Sequence, residues 1–385
     1  MRFEFATAGR ILFGPGTLKE LPALARTYGT RALVVTGSNP DRAETLRRMM
    51  ADQGITCRTC PIAGEPTLEA VERGAETARQ EGIEFVLGFG GGSALDAAKA
   101  VAALATNAGP ALDYLEIIGR GRPLTKPPLP FLAVPTTAGT GAEVTRNAVI
   151  ASPVHRVKAS LRSPLLLARV AVVDPELTRD LPPALTAATG LDALTQLIEP
   201  YVSPRAHPLT DGFCVEGLPR VARSLRRVWE APGDAAARED MALASLLSGL
   251  ALANAGLGAV HGFAAPVGGR FAAPHGAVCA ALLPHAMEVN LQALRSRQPE
   301  SPALKRFEHI ACLLTGRSGA VAEEGVAWVR EVTAHLQIPS LRSYGVTEAD
   351  FVPLAEAAAQ ASSMKGNPVE LTTAERIEIL RRASR

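Results

Sequence analysis

The sequence predicts two domains: an α/β domain with a parallel sheet over residues 1–180 and an all-helical domain over residues 181–385. In the first part, short apolar segments alternate with helical segments of about 10 to 15 residues, a pattern typical of parallel strands joined by crossover helices. Near Asp180 this alternation stops and long helical segments follow. The length of 385 residues also exceeds the size at which one hydrophobic core stops growing.

The first domain is predicted from its apolar segments and the helical segments between them. Strands are expected at Phe3–Phe5, Arg10–Phe13, Ala32–Thr36, Cys57–Ile62, Phe85–Phe89, Phe131–Val134 and Val170–Val173. Helices are expected from Thr17, over Asp41–Gln53 and over Thr67–Glu81. The last two strands are entirely apolar, as is usual for strands of a parallel sheet that are covered on both faces.

The second domain is predicted to be helical throughout. In its first helix Leu191, Leu194 and Ile198 recur at three- and four-residue spacing, which places them on one helix face. The predicted helices are Thr186–Val202, Asp211–Val228, Glu239–Ala253, Gly258–Val267, Val278–Asn290, Leu304–Leu314, Val321–Leu336, Glu348–Ala359 and a last one from Thr373 onward.

The composition argues against several classes of partner. Forty basic residues stand against 38 acidic ones, so the chain lacks the basic excess that nucleic acids or acidic membrane surfaces require. No charge-free apolar run reaches the roughly 18 residues of a membrane span. The N-terminal segment contains Arg2 and Glu4 and has no signal-peptide core, which indicates a cytoplasmic protein.

The five cysteines are interpreted as structural residues. Cys57 and Cys60 form a CxxC motif, but no second such motif is present to complete a zinc site. Cys214, Cys279 and Cys312 are interpreted as small residues of the hydrophobic core.

Two histidines and an aspartate are candidates for a metal site. His261 and His275 lie in the apolar segment Gly256–Gly276, where an unmatched polar ring would cost about 1–3 kcal/mol. Each ring taken alone could be a hydrogen-bonded core histidine. Asp192 lies in an apolar predicted helix, with Gln196 one turn further on the same face. One carboxylate and two imidazoles suit Zn²⁺ or Fe²⁺, and three protein ligands leave a coordination position open, as in catalytic sites.

The predicted strand that begins at Phe85 ends in a glycine-rich segment, Gly88–Gly92, and a helix begins at Ser93. Glycines let the backbone approach a ligand closely, and the start of a helix offers free N–H groups to an anion. Phosphate or pyrophosphate is therefore the expected ligand. The segment does not match the Gly-x-Gly-x-x-Gly fingerprint, so a glycine-rich turn without a ligand is the alternative.

A threonine-rich segment, Pro135–Thr145 (PTTAGTGAEVT), follows the predicted strand Phe131–Val134. Open α/β sheets bind ligands at the carboxyl ends of their strands. The hydroxyls and backbone N–H groups of this loop could bind a ribose or a nicotinamide amide, although a capping turn is an equal alternative for the motif alone.

Together these motifs resemble the iron-containing (group III) alcohol dehydrogenases, whose architecture is also that of 3-dehydroquinate synthase. The resemblance rests on ILFGPG, GGGS at Gly90–Ser93, PTTAGTGAE at Pro135–Glu143, VVDPELT, TGLDAL at Thr189–Leu194, NAGLGAVH at Asn254–His261, PHG at Pro274–Gly276 and Asn367-Pro368. It implies a metal-dependent, NAD(P)-linked dehydrogenase that transfers hydride to or from a small alcohol or aldehyde. It is also compatible with a homo-oligomer.

The resemblance assigns roles to individual residues. The pyrophosphate loop would be Gly90, Gly91, Gly92 and Ser93, and the nicotinamide-side loop would include Thr136, Thr137 and Thr140. Lys158 matches a lysine near the cofactor, and Asp192, His261 and His275 match metal ligands, with Asp192, His261, His275 and Lys158 forming the catalytic set.

Three positions depart from the family pattern. Gln196 replaces a metal-binding histidine, which predicts weaker metal binding because an amide oxygen is a poorer ligand than imidazole. Ala265 replaces a histidine thought to relay the alcohol proton. Gly37, followed by Ser38, stands where NAD-preferring relatives have an aspartate, and Arg42 follows shortly after. The missing carboxylate favours NADP over NAD.

Two other functions fit the resemblance less closely. The first is a cyclising lyase resembling 3-dehydroquinate synthase, which with the glycerol dehydrogenases is thought to use one carboxylate and two histidines. The second is a nucleotide-binding relative that has lost its chemistry through Gln196 and Ala265. The segments PTTAGTGAE and NAGLGAVH favour the dehydrogenase.

Overall fold

The computed structural model describes residues 2–385, which form two compact units. The α/β unit comprises Ala6–Thr137 and Gly141–Thr178. The helical unit comprises Ala138–Thr140, Arg179–Arg385 and the N-terminal segment up to Phe5. The predicted combination of an α/β part and an all-helical part is confirmed.

The α/β unit is built on a six-stranded sheet in which every pair of neighbouring strands is parallel. Its strands are β1 (Ile11–Phe13), β2 (Arg31–Thr36), β3 (Thr56–Pro61), β4 (Phe85–Gly90), β5 (Phe131–Pro135) and β8 (Val170–Val173), in the order β1-β8-β5-β4-β2-β3. The helices of this unit are α1 (Leu21–Ala25), α2 (Glu44–Asp52), α3 (Leu68–Gln80) and α4 (Gly92–Thr106).

The central strands form because they are apolar on both faces. Every residue of β4, β5 and β8 is buried. On one face of the sheet Val34, Leu87 and Val134 contribute to a continuous core with residues of the flanking helix α2. Burial of such side chains contributes about 1.5–3 kcal/mol each, which makes this sheet the rigid support for the loops at its carboxyl edge.

The prediction of a strand at Phe3–Phe5 was wrong. This segment is irregular: the Phe3 ring stacks on His207 with centroids 4.2 Å apart, and Phe5 packs against Phe213 at 5.8 Å. Aromatic contacts with a helix therefore hold it in place, with no partner strand.

An antiparallel hairpin was not predicted. It consists of β6 (Asn147–Ser152) and β7 (Val157–Arg162). Alternate residues of β6 are buried, as expected for a strand that is covered on one face.

The described residues of the helical unit form nine α-helices, all near their predicted positions. They are α5 (Pro183–Val202), α6 (Pro208–Glu230), α7 (Ala235–Ala255), α8 (Ala259–Arg270), α9 (His275–Arg297), α10 (Pro302–Thr315), α11 (Ala322–His335), α12 (Glu348–Gln360) and α13 (Thr373–Ala383). Helix α9 begins three residues earlier than the predicted Val278, so His275 is its first residue.

Helix α9 is also long and apolar enough to cross a membrane, as is the bent pair of α7 and α8 taken together. In α9, 83% of the apolar window is buried inside the protein. A core helix has these properties, and α9 packs against α5, α8, α11 and α13.

Candidate metal centre

Three helices of the helical unit bring four ligand-type side chains together. Asp192 lies on α5, His261 on α8, and His275 and Cys279 on α9. One ligand atom from each residue lies within 4.8 Å of the others. The three residues predicted from the sequence thus meet at one place, and a fourth joins them.

Asp192 is the buried acidic group of this cluster. Its side chain is 1% exposed, and neither carboxylate oxygen has a regular hydrogen-bond partner among residues 2–385. Its Oδ1 lies 3.3 Å from Nε2 of His261 and 3.8 Å from Nε2 of His275. Because an unmatched buried carboxylate is costly, this arrangement fits a site for a cation.

His261 is oriented by a residue that the sequence interpretation missed. Its Nδ1 lies 2.7 Å from Oε2 of Glu199, while Oε1 of Glu199 accepts a hydrogen bond from the backbone N–H of Val260 at 2.7 Å. With Nδ1 bound to Glu199, Nε2 faces Asp192. Metal-binding histidines typically use their second nitrogen in this way. Glu199 lies seven residues after Asp192, hence on the same helix face.

The start of α8 is held by a second buried group. Oδ1 of Asn367 accepts hydrogen bonds from the N–H of Ala259 and from the side chain of Asn290, both at 3.1 Å. A Cβ atom at Gly258 would lie 3.0 Å from Glu199 Oε1 and 3.1 Å from Asn367 Oδ1, so a side chain there would crowd both oxygens. These contacts fix the turn that positions His261.

His275 and Cys279 lie one turn apart on α9 and face the same centre. The Sγ atom of Cys279 lies 3.7 Å from Nε2 of His275 and 3.8 Å from Nε2 of His261. The interpretation of Cys279 as an ordinary core residue was therefore incomplete: it is fully buried, but beside two imidazoles. Gly276 permits this packing, since a Cβ there would lie 2.4 Å from the carbonyl oxygen of Ala188 on α5.

The charged groups of the cluster shift one another's pKa values. Burial opposes ionisation of Asp192, but the charges of His275 and His261 hold its pKa below the usual range. The neighbouring Cys279, against the opposing effect of burial, raises the pKa of His275 to about 9, with Asp192 acting in the same direction.

Two departures from the expected pattern lie beside the cluster. Gln196, one turn beyond Asp192, is buried, and its Oε1 accepts a hydrogen bond from the hydroxyl of Ser248 at 3.1 Å. Ala265, one turn beyond His261 on α8, carries no group that could transfer a proton.

In the α/β unit, the predicted pyrophosphate loop lies at the carboxyl edge of the sheet. β4 ends at Gly90 and α4 begins at Gly92, one residue before the predicted Ser93. The N–H of Thr136 donates to the carbonyl oxygen of Gly90 at 2.9 Å, so the glycine and threonine loops are adjacent. A Cβ at Gly91 would lie 3.2 Å from Cγ2 of Thr137. Small residues and a free helix start make this edge suitable for a phosphate group.

The remaining predicted cofactor residues have different surroundings. Gly37 and Ser38 follow β2 at the same edge, and a Cβ at Gly37 would meet no heavy atom within 4 Å. Arg42 is exposed and makes one long hydrogen bond, 3.4 Å, to the carbonyl of Leu177. Thr140 belongs to the segment Ala138–Thr140, which is part of the helical unit.

Lys158, on β7, is buried, and its Nζ lies 2.7 Å from Oε1 of Glu65. Burial is the main cause that raises the pKa of Asp96 on α4, and the charge of Glu65 acts in the same direction.

Comparison with known proteins identifies the family. The family model for iron-containing alcohol dehydrogenases matches residues 8–175, and the model for the C-terminal part of the Fe-containing alcohol dehydrogenase family matches residues 186–384. Alcohol dehydrogenase 4 of Saccharomyces cerevisiae is 36% identical over 380 residues, 96% of each chain. The 1,3-propanediol dehydrogenase of Klebsiella pneumoniae is 39% identical over 394 residues, covering 99% of this chain and 98% of that protein.

Solved structures give the same result. A 1,3-propanediol oxidoreductase superposes with a TM-score of 0.91 at 34% identity, with each chain covered completely. A sulfoacetaldehyde reductase from Bifidobacterium kashiwanohense, solved in complex with NAD+, has a TM-score of 0.86 at 27% identity, covering 100% of this chain and 99% of that one. The predicted resemblance is confirmed, and the chain belongs to the iron-containing alcohol dehydrogenase family.

Proposed function

We propose that the protein is a metal-dependent, NAD(P)-linked alcohol dehydrogenase or aldehyde reductase. As a member of its family it is an oxidoreductase acting on CH–OH donors. The observation that carries the finer proposal is the buried carboxylate of Asp192, which faces the Nε2 atoms of two histidines and has no regular hydrogen-bond partner within residues 2–385.

Asp192, His261 and His275 are the proposed ligands of a divalent metal ion. The carboxylate and two neutral imidazoles match the donor types that Fe²⁺ and Zn²⁺ accept. Gln196 could add its remaining carbonyl lone pair, although Ser248 already uses one. Glu199 fixes the ring of His261 by accepting from Nδ1, which leaves Nε2 for the ion.

The glycine and threonine loops are the proposed binding site for the nicotinamide cofactor. Gly90, Gly91, Gly92 and Ser93 would bind the pyrophosphate, and Thr136, Thr137 and Thr140 would bind on the nicotinamide side. Lys158, held by Glu65, would serve the same site as a positive charge. Open space at Gly37, with Ser38 beside it, supports a preference for NADP, because no carboxylate is present to repel a 2′-phosphate.

When bound, the nicotinamide supplies or accepts the hydride and the metal ion polarises the substrate oxygen. The chain itself contributes position and charge: Asp192 and the two histidines would hold the metal ion, and the glycine loop would hold the cofactor. Ala265 has no titratable group, so water, a ribose hydroxyl of the cofactor or another group of the chain would have to accept the alcohol proton.

The names of the relatives favour hydride transfer over the lyase alternative, because those described above are dehydrogenases, an oxidoreductase and a reductase. The test is metal analysis of protein purified without chelator, followed by assays of short aldehydes with NADH and NADPH. We expect about one divalent ion per chain and aldehyde-dependent oxidation of the reduced cofactor, faster with NADPH. Cofactor binding without turnover after addition of Fe²⁺ or Zn²⁺ would instead identify a relative that has lost its chemistry.

A further inference from the structure

We propose that Cys279 is a fourth metal ligand, which supplies the donor that residue 196 lacks, and that the centre therefore binds Zn²⁺ in preference to Fe²⁺. This inference rests on the proposed metal dependence of the enzyme. Thiolate is a soft ligand that favours Zn²⁺ over harder oxygen-preferring ions.

The distances within the cluster fit a single ion held by four protein ligands. Zn–S bonds of about 2.3 Å and Zn–N bonds of about 2.0 Å at tetrahedral angles separate sulfur from nitrogen by about 3.5 Å. The same arithmetic separates nitrogen from a carboxylate oxygen by about 3.3 Å. The Sγ of Cys279 lies 3.7 and 3.8 Å from the two Nε2 atoms, and Asp192 Oδ1 lies 3.3 and 3.8 Å from them. The other two separations within the cluster are below 4.8 Å. A substrate oxygen would enter as a fifth ligand, a coordination number that catalytic zinc can reach.

The positions of the donors on their helices support the replacement of the donor missing at residue 196 by Cys279. On α5, Asp192 is followed one turn later by Gln196, whose carbonyl oxygen accepts a hydrogen bond from Ser248. On α9, His275 is followed one turn later by Cys279, whose Sγ contacts the two imidazoles. Each helix thus offers a pair of side chains four residues apart. The stronger second donor is on α9.

Charge balance gives a further reason. A buried divalent cation is stabilised best when ligand charges compensate it, because uncompensated charge in the interior is costly. Asp192 and a Cys279 thiolate together supply two negative charges, whereas Asp192 with the neutral amide of Gln196 supplies one. The side chains of Asp192 and Cys279 are almost completely buried, so solvent does not screen this difference in ligand charge.

Cobalt substitution tests the assignment directly, because a thiolate bound to Co²⁺ produces intense near-ultraviolet charge-transfer absorption. We expect this band in Co²⁺-loaded wild-type protein and in the control Cys214→Ser, which alters an equally buried cysteine on α6. Cys279→Ser should bind Co²⁺ without the band and with affinity at least about tenfold lower. Cys279→Ala provides a second variant, whose folding is checked by thermal unfolding with and without Zn²⁺.

A rescue variant tests whether a ligand on α5 can replace the cysteine ligand on α9. Adding Gln196→His to Cys279→Ser should recover much of the lost affinity without restoring the thiolate band. Anaerobic competition between Zn²⁺ and Fe²⁺ should show a smaller preference for Zn²⁺ in Cys279→Ser than in the wild type.

The outcomes separate this inference from the proposed function. If wild-type protein binds Co²⁺ or Zn²⁺ and reduces aldehydes but shows no thiolate band, or if the band persists in Cys279→Ser, the cysteine assignment is wrong and the dehydrogenase stands. If neither ion binds wild-type protein, the metal-dependent function and the cysteine ligand are both overturned.

Discussion

The Nδ1 atom of His261 and the Oε2 atom of Glu199 lie 2.7 Å apart, and both side chains are buried. Since Glu199 also accepts from the N–H of Val260, one carboxylate fixes both the ring and the first turn of α8. The relationship sets which nitrogen of His261 is free for a metal ion.

Replacing this carboxylate should weaken metal binding. In Glu199→Gln the side chain keeps its shape and can still accept from Val260, but it no longer holds His261 through a charged hydrogen bond. We expect metal affinity to fall about 10- to 100-fold, the usual effect of losing such a partner. Competition with a chromophoric chelator measures it, and an unchanged dissociation constant would show that Glu199 does not position His261.

Removing a proposed ligand should have a larger effect. We predict that His261→Ala lowers metal content and dehydrogenase activity together, because a site with so few ligands cannot lose an imidazole and hold its ion. The matched control is His335→Ala, since His335 lies at the surface, with its Nε2 atom 2.8 Å from Oε1 of Glu230. Full activity of His261→Ala would refute the assignment.

The sequence predicts the sheet well because its strands are buried on both faces, so β5 and β8 are recognisable from apolar residues alone. The hairpin of β6 and β7 is different. Its backbone is bound by α4: Lys99 donates to the carbonyl of Asn147 at 2.8 Å, and Asp96 accepts from the N–H of Val149 at 3.0 Å. Isolated hairpins are marginal, and tertiary contacts of this kind are invisible in the local pattern.

The metal centre also depends on tertiary contacts that the local sequence pattern does not reveal. Asp192, His261 and His275 are recognisable because polar groups in apolar segments need a partner. Glu199 and Cys279 were missed because their roles depend on helix packing. The predicted start at Val278 left His275 outside the helix; the observed start at His275 places Cys279 one helical turn further along the same face.

The proposed cofactor preference can be tested at Gly37. Its backbone is not in the left-handed region, and a Cβ there meets no heavy atom within 4 Å, so an aspartate fits without a clash. In Gly37→Asp we expect the affinity for NADPH to fall about tenfold relative to NADH, because the new carboxylate repels a 2′-phosphate and can accept from a ribose hydroxyl. The isosteric control Gly37→Asn should change the ratio much less. An unchanged ratio of the NADPH and NADH affinities in Gly37→Asp would show that the ribose 2′ position of the cofactor does not lie near residue 37.

Glu143, in the threonine loop, should make the stability of the α/β unit depend on pH. Burial raises the pKa of this carboxyl to about 7 from 4.5, against the opposing effects of its own backbone N–H and of Lys99. The folded state therefore holds a proton that the unfolded chain releases above pH 4.5. The stabilising contribution is complete below that value and is lost as the pH rises through about 7.

The variant Glu143→Gln keeps the neutral shape and removes the titration. Relative to wild type, its free energy of unfolding should rise between about pH 5 and about pH 8, by up to about 3 kcal/mol. Urea unfolding at both pH values measures this, and comparing the two proteins cancels the slopes that other groups, such as the buried Asp96, contribute in both. A difference that stays constant with pH would mean that Glu143 is ionised in the folded protein at neutral pH, with Lys99 compensating its charge.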